Sequence, residues 1–292
     1  YRLNAIEELL RFEVTRAGIV FIAWLKGHKF RCRALEGKSN YNICVNADLS
    51  VSCNCYDTRG YGRLGHLEED HLLDILNGDR AHKIKQKLSE GKLALSNCAY
   101  CSELERIPKS MNVSCDGYVG KLDGIMLEAI GACNLTCIGC TRPERPLRSA
   151  KMGLANLEMI VKQLASLEIK DIFFFSLGEP FLSKSIHHEI AILRRDLPDS
   201  RIVISTNGVY LDSSEKRAAA LSADRIVISL FGDCTETAEI YQVGTNYNKV
   251  LENLRDLTAE AASSEQRPLI IWKYVVFHWN DRSHQISKAI QD

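Results

Sequence analysis

Cys133, Cys137 and Cys140 fall within eight residues, in the segment GACNLTCIGC at 131–140. Thiolates ligate soft metal centres, but three is an incomplete set. Structural zinc takes four ligands, and disulfides take pairs. The CxxxCxxC spacing therefore describes a site with one coordination position left open. A second group of thiols lies earlier: Cys98 and Cys101 form a CxxC, Cys53 and Cys55 a CxC, and Cys32, Cys44 and Cys115 stand singly. Four of these would close either a zinc site or an iron–sulfur cluster. Cys234 is alone, in SLFGDC at 229–234. The 11 cysteines are odd in number and clustered, and no basic–apolar–small signal sequence opens the chain. Metal-type ligation thus fits better than a disulfide framework, and the expected location is cytoplasmic.

The elements that must position these residues divide the chain in two. Residues 1–118 are irregular and hold most of the thiols. Within them, YNICVNADLSVSCNC at 41–55 alternates like a hairpin turning at Asn46-Ala47-Asp48, with Cys44 strand-like and suited to a core. Residues 68–93 read as amphipathic helix broken near Asn77-Gly78. The apolar run at 17–25 is too short for a membrane span and predicts a core helix. Residues 119–292 alternate apolar strand runs, at 124–130, 171–177, 201–207, 225–230 and 269–277, with helical patterns at 154–168, 187–197, 213–222 and 246–264. That rhythm predicts α/β architecture with parallel strands and right-handed crossovers. Functional groups in such folds gather at the C-terminal strand ends.

Each of the five expected strand ends carries polar or ligating residues. The thiol loop follows the first, Gly178-Glu179-Pro180 the second, Ser205-Thr206-Asn207-Gly208 the third, Ser229 to Cys234 the fourth and FHWND at 277–281 the fifth. Any one of these is ordinary turn chemistry; their convergence defines a site. The balance of 37 basic and 37 acidic residues, with no basic run, points away from nucleic acid as a partner, and no segment is expected to cross a membrane. The chain opens on Tyr, which suggests a trimmed start, and stops inside a helical pattern, HQISKAIQD at 284–292, which suggests an incomplete C-terminus.

CxxxCxxC after the first strand, Gly-Glu-Pro after the second and Ser-Thr-Asn-Gly after the third resemble the radical S-adenosylmethionine (SAM) superfamily, over residues 119–292. The resemblance implies a partial (β/α)6 TIM-like barrel in which Cys133, Cys137 and Cys140 hold a [4Fe-4S] cluster. The iron left open then binds the methionine part of SAM, and reductive cleavage gives a 5′-deoxyadenosyl radical that abstracts hydrogen from substrate. Gly178 and Glu179 resemble the motif at the SAM amino group. Ser205 and Asn207 resemble positions near ribose and methionine, Ser229 a ribose contact, and Val276 to His278 the backbone that meets adenine. Three departures stand out. Gly139 occupies a position often aromatic or Met. Tyr241-Gln242 replaces a frequent Tyr-Arg, leaving Arg142 or Lys273 to meet the SAM carboxylate. Only five barrel strands are counted, so a sixth is missing or comes from an unexpected place.

The earlier thiols resemble the auxiliary-cluster extension called SPASM or twitch, which implies a smaller irregular α+β domain with a second [4Fe-4S] cluster. Its expected ligands are Cys32, Cys98, Cys101 and one of Cys53 or Cys55, with Cys115 as a substitute and zinc as the alternative metal. In most relatives this module follows the barrel; here it precedes it. The resemblance further implies a small-molecule substrate and an electron donor such as flavodoxin or ferredoxin. Segments 229–254 and 270–281 look most like members acting on carbohydrates, implying a sugar, aminocyclitol or nucleotide sugar that is epimerised, dehydrated or oxidised. Cys234 would suit a hydrogen donor in an epimerase. The alternatives are modification of a ribosomal peptide, although no winged-helix leader-binding domain is recognisable in the first 30 residues, and a non-catalytic metal or redox sensor.

Overall fold

The computed structural model describes residues 2–41, 43–55, 57, 60–112, 121–142, 149–264 and 267–292, with side chains from residue 14 onward. Cys115 and the expected division at 118/119 lie outside the described residues. The second half follows the predicted alternation: β6 (Lys121–Leu127), α4 (Leu154–Leu164), β7 (Glu168–Phe173), α5 (Ile186–Asp196), β8 (Arg201–Thr206), α6 (Ser214–Leu221), β9 (Arg225–Ser229), α7 (Thr235–Glu239), α8 (Tyr247–Ser263), β10 (Leu269–Lys273) and α9 (Ser283–Gln291). Helix α4 shows why these segments fold as they do. Its Leu157, Ile160, Val161 and Leu164 recur at helical spacing and are all buried on one face. Strand β8 carries Ile202, Val203 and Ile204 consecutively buried, as expected for a strand covered on both faces.

The first half supplies α1 (Arg2–Leu25), β1 (His28–Cys32), β2 (Cys44–Val45), β3 (Ser50–Ser52), β4 (Arg63–His66), α2 (Leu72–Asn77), α3 (Asp79–Ser89) and β5 (Leu104–Pro108). The hairpin is present, with Cys44 opposite Ser52 and Val45 opposite Val51. Its turn is closed by Asp48, whose Oδ1 accepts from the Ser50 amide at 3.1 Å and the Ser50 hydroxyl at 2.6 Å. The helix break falls at Gly78, where a Cβ would meet the Asp74 carbonyl at 2.9 Å.

Eight strands form one sheet in the order β10-β9-β8-β7-β6-β2-β3-β4. Strands β6 to β10 pair in parallel, as a partial TIM-like barrel requires. Among the described residues nothing pairs with the free edge of β10, and the further parallel strand of the sheet joins at its other end from the N-terminal half: β2 pairs with β6, Cys44 opposite Met126 and Val45 opposite Leu127. The hairpin therefore extends the barrel sheet on the side away from β10. Strands β1 and β5 form a separate antiparallel pair.

The run at 17–25 is helical but is not the expected core helix. Within it only Ala23 is buried, while Phe21 and Trp24 are 58% and 62% exposed. The element beneath α1 is the two-stranded β1–β5 pair with its adjoining turn, too narrow to cover more than one edge of a helix. Strand five is also shorter than the apolar run 269–277 predicts. Val276 and His278 lie beyond the end of β10, on a loop fastened by Asn280. Among the described residues, no helix is long and apolar enough to cross a membrane.

Candidate functional site at the C-terminal strand ends

The thiol loop leaves β6 and is pinned at once. Ala129 and Gly131 bond to Met152 and Ala150, in bonds of 2.9 Å each. The Gly-Glu-Pro turn after β7 packs directly against this segment. A Cβ on Gly178 would meet the Ile130 carbonyl oxygen at 1.8 Å and that of Ala132 at 3.0 Å, so only glycine fits. The next amide, of Glu179, donates to the Ala132 carbonyl at 2.7 Å, one residue before Cys133.

The Glu179 side chain is 2% exposed and organises a third strand end. Its Oε1 accepts from the Thr206 hydroxyl at 2.7 Å and the Phe181 amide at 3.1 Å; its Oε2 accepts from the Asn207 amide at 2.8 Å. Burial raises its pKa despite these three donors. Asn207 then reaches back to the loop, donating to Asn134 Oδ1 at 2.9 Å and lying 3.8 Å from Cys133 Sγ. Asn253, buried on α8, donates to the carbonyls of Gly208 at 2.9 Å and Val209 at 3.1 Å, fixing the turn. The loops after β6, β7 and β8 are thus one hydrogen-bonded assembly.

The fourth and fifth ends close against it. Gln242 is buried and bridges the chain after β9, accepting from the Phe231 amide at 2.8 Å and donating to the Ser229 carbonyl at 2.9 Å. Asn280, fully buried, donates to the carbonyls of Phe231 and Val275 at 3.0 Å and accepts from the Phe277 amide at 2.6 Å. Ser205 and Ser229 are half-buried, in β8 and at the end of β9. Val276 and His278 are exposed. Cys234 is the N-cap of α7, with its thiol 3.4 Å from the Thr237 hydroxyl. Arg142 donates to the Leu135 carbonyl at 3.3 Å, and its charge favours the thiolates of Cys133 and Cys137; Lys273 is exposed at the end of β10.

Burial pushes the Cys137 thiol up to about 11, and the charges of Cys133 and Cys140 add to that rise. Burial likewise raises Cys133, with Glu179 and Cys140 contributing. In the first half, burial pushes Cys32 up to about 12, with further contributions from Cys101 and Cys98. Cys53 is raised by burial and then by Cys32, Cys98, Asp57 and Cys101. Geometry ties these four together. Cys32 ends β1 opposite Leu104, whose amide donates to the Cys101 carbonyl at 3.2 Å; Cys101 is bonded to Cys98 in the same way; Asn54, next to Cys53, bonds to the Cys101 side chain. Cys44 is buried in β2, its thiol 3.4 Å from the Tyr41 carbonyl. Cys55 is half-buried in the turn after Cys53.

Among the described residues, no three Cys, His, Asp or Glu side chains already close on a point where one metal ion could sit. The donor chemistry nevertheless suits an iron–sulfur cluster: three thiols share a half-buried loop, and their neighbours are arranged around them. The Thr141 hydroxyl, directly after Cys140, is buried and finds no partner among the described residues. A buried donor without an acceptor is costly, and cluster sulfur bound at Cys140 would supply one.

Thr206, Asn134, Asn253 and Asn280 shape the site without having been assigned a role from sequence, and Gln242 was noted there only as standing in place of a frequent Arg. Thr206 and Asn280 lie inside motifs that were recognised; Asn253 sits mid-helix, where nothing in the sequence marks it.

Residues 127–263 match the family model described as the radical SAM superfamily. The chain is 26% identical over 115 residues to GTP 3′,8-cyclase of Chlorobaculum tepidum, covering 39% of this chain and 34% of that protein. It is 28% identical over 129 residues to a probable GTP 3′,8-cyclase of Methanosarcina acetivorans, covering 42% and 37%. The chain thus spans about a third of the length of these curated relatives. Among solved structures, BtrN in complex with AdoMet and 2-DOIA aligns with a TM-score of 0.38 at 19% identity, over 50% of this chain and 55% of that one.

Proposed function

We propose that the chain, whose residues 127–263 match the radical SAM family model, cleaves SAM reductively and abstracts hydrogen from a C–H bond of a carbohydrate-type substrate. Domains of this superfamily imply a [4Fe-4S] cluster and SAM. The observation that carries the reading is the hydrogen-bonded assembly joining the CxxxCxxC loop, Gly178-Glu179 and Asn207. In the proposed assignment Cys133, Cys137 and Cys140 hold the cluster. A cluster and SAM bound there would supply one-electron cleavage of the SAM sulfonium to methionine and a 5′-deoxyadenosyl radical, the electron coming from the proposed carrier.

The protein's own residues orient and exclude. Glu179, with its carboxylate spent on Thr206, Phe181 and Asn207, sets the spacing between two strand ends and leaves backbone of the Gly178–Glu179 turn to face the SAM amino group. Asn207 positions Asn134 beside the first cysteine. Ser205 and Ser229 are assigned to the ribose side, and the loop at Val276 to His278 to adenine. Arg142, whose charge already acts on the thiols, is favoured over exposed Lys273 for the SAM carboxylate. Cys234 is assigned as a hydrogen-atom donor to a substrate radical, the resulting thiyl radical returning to the thiol with one electron from the proposed electron carrier and a proton from solvent, a role that competes with its capping of α7.

Cys32, Cys98, Cys101 and Cys53 are proposed to hold a second [4Fe-4S] cluster in a SPASM/twitch-like domain at 1–118, fed by or feeding an electron carrier such as flavodoxin or ferredoxin. The mutual effect of these four thiols supports Cys53 from the CxC pair. Substrates named in the curated relatives include a ribose-bearing nucleotide, which is compatible with a sugar substrate. The test is deuterium transfer into 5′-deoxyadenosine from labelled sugars, aminocyclitols, nucleotide sugars and peptides. Transfer from a sugar-bearing compound is expected; transfer from a peptide alone would overturn the substrate class. Where the product is an epimer, Cys234→Ala should leave SAM cleavage intact and abolish that product; unaltered epimer, or a product formed by dehydration or oxidation, would remove the assigned role.

A further inference from the structure

Gly139 lies between two of the three loop cysteines. A Cβ built there would stand 2.7 Å from the hydroxyl oxygen of Tyr241, closer than real Cβ atoms approach, and a tight 3.2–3.3 Å from its ring. Tyr241 has little freedom to withdraw. Its ring stacks on Phe277 at 4.9 Å with an interplanar angle of 23°, and meets Phe231 at 5.7 Å. Phe277 in turn stacks on Trp279 at 4.6 Å and 11°. Backbone bonds join the same two segments, from the Ile138 amide to the Tyr241 carbonyl at 3.0 Å and from the Thr136 amide to the Val243 carbonyl at 3.1 Å. The next residue, Gln242, anchors the segment to β9 and the loop after it through Ser229 and Phe231.

We propose that Tyr241 is a positioning residue for the cysteine loop, filling from the segment after β9 the space that Gly139 leaves and coupling the loop through Phe277 to the loop after β10. The glycine and the tyrosine are a matched pair: the small residue exists because the large one arrives from elsewhere. The Tyr241-Gln242 dipeptide thereby has a use that does not involve a cation, with Tyr241 shaping the loop and Gln242 fixing the backbone that carries it. The aromatic stack gives the pairing its stiffness, because moving Tyr241 also unstacks Phe277.

The inference rests on reading Cys133, Cys137 and Cys140 as cluster ligands, and the test separates the two. Wild type, Gly139→Phe, Tyr241→Ala, Tyr241→Phe and the Gly139→Phe/Tyr241→Ala pair are purified without oxygen and reconstituted with iron and sulfide. To isolate the loop site, all are built on a Cys98→Ala/Cys101→Ala parent chain, which serves as the wild-type reference at the loop. Bound iron and the EPR spectrum of the reduced cluster, with and without SAM, are recorded. Tyr241→Phe should match wild type, because the ring and its stack remain. Gly139→Phe should lose at least half of the iron, and Tyr241→Ala should change the spectral response to SAM. The double variant should recover most of the iron lost by Gly139→Phe, a non-additive result expected only of residues sharing one space. Thermal unfolding of the apo chains should rank the double variant above Gly139→Phe. Additive losses in an iron-loading protein, or a Gly139→Phe that behaves as wild type, would overturn this inference alone. A parent chain that takes up no iron would overturn the ligand reading and this inference with it.

Discussion

Gly178 and Glu179 occupy the tightest part of the site. A methyl group at 178 would overlap a backbone carbonyl at 1.8 Å, and backbone yields less readily than a side chain. Gly178→Ala should therefore destabilise the apo protein by about 2–4 kcal/mol, within the range of severe overpacking, seen as a lower unfolding midpoint. Glu179→Ala would leave one hydroxyl and two amides without their acceptor, each a buried donor worth about 1–3 kcal/mol when stranded. Net destabilisation of about 2–4 kcal/mol is expected even before any cofactor is added; an unchanged midpoint would mean Glu179 is not the organiser described. At this scale the Gly-Glu-Pro motif was legible only in company, as ordinary turn chemistry that recurs with polar residues at the other strand ends. Its partner was less so. In Ser205-Thr206-Asn207 the resemblance directs attention to the serine and asparagine, yet the side chain that meets the carboxylate is that of Thr206, with Asn207 contributing its backbone amide. Successive residues of a strand face opposite sides, and sequence alone does not say which side holds the site.

The strands that carry these residues are held from both directions. Met126 donates to the Ile43 carbonyl at 2.8 Å and Glu128 to that of Val45 at 3.0 Å, so β6, which delivers the cysteine loop, is paired on its outer edge by the N-terminal hairpin. Gly124 permits this approach, since a Cβ there would meet the Asn40 carbonyl oxygen at 1.8 Å. Gly124→Ala should accelerate hydrogen exchange at the Met126 and Glu128 amides; unchanged protection would contradict the pairing. The βα alternation was readable from apolar periodicity, and the hairpin from its alternation and turn. Their mutual pairing was not, because a parallel contact between residues some eighty positions apart leaves no local mark. The apolar run at 269–277 also misled, since the buried amide of Asn280 captures Val275 and Phe277 and turns the chain away from β10. Helix α1 misled for another reason: apolar composition predicted burial, but what packs against it among the described residues is β1 of a two-stranded sheet and the turn at 96–100.

Across the whole molecule, two sets of thiols belong to one chain, one in the loop after β6 and the other around the β1–β5 pair and Cys53. The proposed second site predicts about eight irons per chain after anaerobic reconstitution, two cubane clusters' worth. Cys53→Ala should reduce this to about four while Cys55→Ala leaves it near eight. Zinc at the first-half site, or loss of iron with Cys55→Ala instead, would revise the ligand set. The order of the thiols was legible in sequence, and the choice within the CxC pair needed the fold, because only packing brings Cys53 into the field of Cys32, Cys98 and Cys101. The central claim, that the three-cysteine loop supports radical cleavage of SAM, is tested most directly by adding a reductant and SAM to the anaerobically reconstituted protein and measuring 5′-deoxyadenosine. The account predicts its formation in wild type and its loss in Cys133→Ala. Absence of 5′-deoxyadenosine from an iron-loaded wild type, or undiminished formation in Cys133→Ala, would contradict it.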